Sequence, residues 1–231
     1  MKKQIALLFI SLFMLGSGAF EAAAYQRVGV GFVHNFSAGH KDGTDKNLNT
    51  LSVEVTQSIR IVRTAPLFLE VGLSGDYAYS TSAPLPNMNL NGTFAQLDPD
   101  RRSYSRSEFF GIGIPLRVVM NFDVARNFRL APVFGMSGVY NITGRLHSHT
   151  YMRTSSSEPF VEKNQTFDDI LGKGEIFALG YRAPRFNLAW EMGIGMEYDR
   201  LSLRATFGTT TNRDSTGQPA FRTGLNLGWR F

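Results

Sequence analysis

FFGIGIPLRVVMNFDVARNFRLAPVFGMSGVYNITG, residues 109–144, alternates strictly for most of its length. Phe110, Ile112, Ile114, Leu116, Val118, Met120 and Phe122 share one face, and Gly111, Gly113, Pro115, Arg117 and Asn121 share the other. After the short DVARN connection (123–127), Phe128, Leu130, Pro132, Phe134, Met136, Tyr140 and Ile142 resume the apolar phase. A period of two marks a β-strand, since successive side chains point to opposite faces. The pair therefore reads as an antiparallel hairpin with one continuous apolar face.

Working outward, the same period predicts six more strands, at about 25–37, 50–62, 67–80, 185–198, 201–209 and 221–231. The hairpin supplies strands at about 105–122 and 128–143, which makes eight. Connections after the second, fourth and sixth strands are short: 63–66, 123–127 and 199–200. Those after the first, third, fifth and seventh are long: about 38–49, 81–104, 144–184 and 210–219. Antiparallel strands then place every short turn at one end and every long loop at the other. Such asymmetry, with an even strand number, marks a transmembrane β-barrel with short periplasmic turns. A secreted β-sandwich also alternates, but gives no reason for the loop asymmetry or for aromatics at both ends of one face, such as Phe110 with Phe122 and Phe186 with Tyr198. The segment FALGYRA (177–183) alternates as well. A ten-stranded barrel would need its partner within 150–163, which is polar and poorly patterned. Eight strands is the expectation.

Composition agrees. Of 231 residues, 43% are hydrophobic and only 19% charged, below the ~25% usual for soluble domains. The absence of cysteine excludes disulfides, thiolate nucleophiles and Cys-ligated zinc. Lys2 and Lys3, the apolar run 4–15 and small residues ending at Ala19 and Ala24 read as a secretory signal peptide. Cleavage is expected after Ala24, with Ala19 the alternative, leaving 25–231 as the barrel domain. Export and the lack of a basic cluster argue against nucleic acid. The expected location is the bacterial outer membrane, with its lipid as the surrounding partner.

With the apolar face in lipid, the other face lines the lumen. Glu54, Arg117, Glu191 and Arg222 fall near mid-depth, with Arg60, Glu70, Glu197 and Arg204 nearer the short turns. Turn-set register puts Arg60 almost across from Glu70 and Arg204 diagonal to Glu197. Each layer holds two acids and two bases, which suits an ion-paired plug because buried charges must be paired. A gated pore is the competing reading. The inward glycines, among them Gly29, Gly113 and Gly228, read as room for bulky neighbours.

Evidence for chemistry is thin. His147 and His149 flank Ser148 in the fifth-to-sixth connection, with Glu158, Glu162, Asp168 and Asp169 nearby. Two histidines at i, i+2 are a weak metal signal, and adjacency makes no triad. The expectation is no enzyme, no metal and no cofactor. TFDDIL (166–171) suits one helical turn with Thr166 as N-cap.

The 109–144 hairpin, with Ile114-Pro115-Leu116 and the segment Pro132 to Gly138, resembles the central strands of the PorT-like outer-membrane β-barrel proteins of the Bacteroidetes. Residues 187–208 resemble that family's next hairpin and 224–231 its last strand. The likeness covers the second half well and the first half only in pattern; an OmpX/OmpA-like reading gives the same barrel. It implies architecture, and for the family's namesake a part in type IX secretion, without a functional residue to carry over. Finally, Leu227, Trp229 and Phe231 stand in phase and resemble the C-terminal signal read by the barrel-assembly machinery. The long loops are the expected contact for any protein or surface ligand.

Overall fold

A computed structural model describes residues 25–37, 48–81, 85–86, 101–152, 158–159, 161–168, 170–171, 185–213 and 219–231. The segment 1–24, expected to be a signal peptide, and the stretch 177–183 lie outside the described residues. The regular elements are all strands: β1 (Tyr25–Ser37), β2 (Leu48–Arg60), β3 (Leu67–Thr81), β4 (Leu85–Pro86), β5 (Arg101–Met120), β6 (Phe122–Ala125), β7 (Phe128–Met152), β8 (Val161–Asp168), β9 (Phe186–Tyr198), β10 (Leu201–Arg213) and β11 (Pro219–Arg230).

Eight of them close a ring. Each is antiparallel to its neighbours in the order β1-β2-β3-β5-β7-β9-β10-β11, and β11 returns to β1. The closing seam runs from Arg27 opposite Arg230 to Ser37 opposite Ala220. Closure leaves no edge, so every ring strand has backbone partners on both sides. The fold is an eight-stranded antiparallel barrel, as the alternation predicts.

The outward face of the ring is largely apolar. Val30, Val53, Ile114, Phe134, Met192 and Leu225 are among many exposed hydrophobic side chains. Exposed aromatics bound this band at both ends: Phe122, Tyr198, Trp229 and Phe231 beside the short turns, and Phe110, Tyr140, Phe186 and Phe207 at the far end. The short turns are tight. Ala125 pairs with Phe128 around Arg126-Asn127, and the two-residue turn at Asp199-Arg200 puts Asp199 at φ 54°, a left-handed conformation aspartate tolerates.

The barrel is much taller on one side. β7 has 25 residues and β5 has 20, whereas β11 has 12. The surplus of β7 pairs with β5 on one flank and with β8 on the other, making a three-stranded projection beyond the ring, with the two-residue β4 on the free edge of β5. Two expectations change here. The stretch after 143 is strand rather than loop, and a further strand at 161–168 pairs with it outside the closed ring. The helical turn expected at 166–171 is absent as well: Thr166 lies within β8, and the Ile170 amide bonds the Gly144 carbonyl (3.1 Å).

Candidate functional site: the lumen

The inward side chains form three levels. At the long-loop end Ile170 and Leu171 pack on Phe109 and Leu146, with Leu48 and Ala78 against them. At the short-turn end Phe68, Val119, Ala131 and Val133 form a second apolar cluster under Tyr25, whose ring lies 5.7 Å from that of Phe68. Charge sits between them.

Arg117, on β5, is the hub. Its guanidinium donates to Glu191 (2.6 Å), Glu54 (3.0 Å) and Glu70 (3.1 Å), reaching β9, β2 and β3. Glu70 is also held by Arg204 of β10 in a two-pronged pair at 2.6 and 2.8 Å. Arg27, fully buried on β1, donates to Glu54 of β2, to Ser202 of β10 (2.7 Å) and to Asn226 of β11. Arg222 of β11 stands 3.8 Å from Glu191 and donates to Ser137 of β7 (3.2 Å). The contacts are continuous and touch all eight ring strands. A charge-assisted two-pronged pair is among the stronger and more directional hydrogen-bonded contacts.

Six of the eight anticipated lumen residues, Glu54, Glu70, Arg117, Glu191, Arg204 and Arg222, meet in this one network. Two do not join it directly. Glu197 pairs with Arg230 at 3.3 Å, nearer the short turns. Arg60 stands opposite Phe68 rather than Glu70, with its guanidinium 5.6 Å from the Phe68 ring centre. The reason is the turn: β2 ends at Arg60, and the Ile61 amide bonds the Leu67 carbonyl (2.9 Å), so the connection takes 61–66 and shifts the register. Arg204 faces Gly195 and reaches across the lumen instead of to Glu197. The expected two layers are thus one, because Glu70 and Arg117 are direct cross-strand neighbours.

Arg27, Ser202, Asn226 and Arg230 were not anticipated. Arg27 lies two residues before Gly29, in the lumen phase, so alternation does carry its position. Gly228 makes room for it: a Cβ there would stand 2.6 Å from the Arg27 guanidinium carbon.

The histidines are on β7, not in a loop. His147 meets Thr166 (3.2 Å) and His149 meets Glu162 (3.3 Å) on the projection. Among the described residues no group of three His, Cys, Asp or Glu could hold a metal.

No family model matches the chain, and no curated protein matches it in sequence. Solved structures overlap it at low identity. Ail, the attachment invasion locus protein of Yersinia pestis, is 11% identical, covering 92% of this chain and 100% of its own, with a TM-score of 0.33. Neisserial surface protein A is 14% identical, covering 90% and 95%, with a TM-score of 0.35. A major outer membrane protein from Thermus thermophilus is 15% identical, covering 90% and 100%, with a TM-score of 0.39. Overlaps this loose carry no weight for function, and the barrel rests on its own strand registers.

Proposed function

We propose that the chain is a small bacterial outer-membrane barrel with a sealed lumen, whose role is interaction at the outer surface. The observation that carries this is the three-stranded projection. A crossing needs about 9–11 residues of strand, and β7 has 25. The excess, with β5 and β8, builds an ordered platform beyond the ring, and β8 is exposed along its whole length. The lumen supports the same reading. Four arginines and three glutamates cross-link it, with apolar clusters above and below. A path for solute would have to break contacts at each level. Membership of the PorT-like proteins, with a part in secretion or assembly, is the finer form of this proposal and rests on the 109–144 hairpin.

The test combines location and permeability. In fractionated envelopes the barrel should enter the outer membrane, and protease added to intact cells should cut within 144–184. Purified wild type in planar bilayers should show no steady open state. Cytoplasmic location, or protection of that segment with a conducting lumen, would sink the proposal. A stable stoichiometric partner retained in mild detergent would favour an assembly component over a lone surface barrel.

A further inference from the structure

The short-turn rim repeats one arrangement that the sealed lumen does not use. Arg63 follows exposed Ile61 and Val62, Arg126 follows exposed Val124, and Arg200 lies between exposed Tyr198 and Leu201. All three arginines are exposed, and none is in an ion pair among the described residues. Their neighbours are spoken for: Arg129 pairs with Asp123 (2.6 Å) and Arg230 with Glu197 (3.3 Å).

The turns bearing these arginines are joined to their neighbours. The Asp199 amide bonds the Asn127 carbonyl (2.8 Å), the Arg230 amide bonds the Arg200 carbonyl (2.8 Å), and the Asn121 amide bonds the Pro66 carbonyl (2.9 Å). Between two of them lies a cavity of about 80 Å³ lined by Arg126, Asn127, Arg129, Glu197, Asp199 and Arg230. The choice of cation is selective. Every lysine of the chain falls within 1–24 or in a stretch expected to lie on the long-loop side, while every cation of the short turns is arginine. A guanidinium offers a planar fork that matches phosphate oxygens two at a time, and it is less strongly hydrated than an ammonium.

Where an apolar side chain meets hydrocarbon, a neighbouring arginine extends its charged end to the headgroup plane. We infer that the short-turn rim docks anionic phospholipid headgroups, with Arg63, Arg126 and Arg200 holding their phosphodiester oxygens. The inference rests on the outer-membrane reading, in which this rim faces the phospholipid leaflet. An acidic soluble partner accounts for the charge but not for the exposed apolar residue within two positions of each arginine.

The probe is phosphatidylglycerol. The full chain and an Arg63→Gln/Arg126→Gln/Arg200→Gln variant are folded into phosphatidylcholine vesicles with and without phosphatidylglycerol. Heat-modifiable migration reads folding, and mass spectrometry reads lipid retained after mild detergent extraction. Wild type should retain phosphatidylglycerol several-fold over phosphatidylcholine, with the preference falling as salt rises. The variant should fold in both vesicles and lose the preference. Equal retention by the two proteins overturns the inference and leaves the membrane reading standing. Failure of wild type to fold in either vesicle overturns both. Should the triple variant not fold, each single Arg→Gln change should give a partial loss, and three unchanged single variants would overturn the inference. Arg106→Gln, on the long-loop side, should change nothing.

Discussion

At the scale of single residues, the Glu70–Arg204 pair shows how a narrow barrel tolerates charge. Both side chains are almost fully buried, and each is costly alone. Glu70→Ala leaves Arg204 without its carboxylate and should lower stability by about 3–5 kcal/mol, measured by urea unfolding from vesicles. Glu70→Met with Arg204→Met removes both charges and should lose less than the single change, since Arg204 is no longer stranded and Arg117, the other partner of Glu70, keeps Glu54 and Glu191. Additive losses would mean the two residues do not act together. Alternation puts Glu54, Glu70 and Arg204 on the inward face, and all three side chains are buried. It cannot name partners. Arg204 meets Glu70 across the barrel, and that match depends on strand tilt and stagger, which only closure sets.

For the elements, periodicity reveals the ring strands and misses the projection, for an identifiable reason. On the β5–β7 ladder, Phe110 pairs with Thr143 and Gly111 with Asn141, so Ile142 is an extra residue. This bulge flips the inward phase of β7 from odd positions to even, and Gly144 and Leu146 become the buried ones. A reader following the apolar phase from Phe134 loses the strand at 143, although its pairing continues to Met152. Along β10 from Leu201 to Thr209 the phase holds, and it places Leu203 on the outer face between Leu227 and Met196. Leu203→Arg should therefore hinder folding into vesicles and cost roughly 2–4 kcal/mol, as for an arginine facing lipid near mid-depth. Unchanged heat-modifiable migration and stability would place Leu203 on the other face.

On the scale of the whole molecule, the two strands that seal the ring are furthest apart in sequence. Val30 meets Leu227 and Val28 meets Trp229, and the Phe231 amide bonds the Gln26 carbonyl (2.9 Å). Phe231 thus belongs to the seam. Removal of Phe231 should reduce the amount of barrel recovered in the outer membrane, read by immunoblot of fractionated envelopes. Undiminished recovery would leave Phe231 as an interfacial ring only.

The unequal heights have a mechanical consequence. β7 runs as one strand, bulged at Ile142, from Phe128 beside the short turns to Met152 at the far tip, with β5 laddered along one flank and β9, then β8, along the other. A tug on the tip along this strand loads those hydrogen bonds in shear, many at once, instead of peeling them singly. Whatever grips the projection pulls against the entire staved wall, as a mast stepped on the keel loads the hull and not the deck.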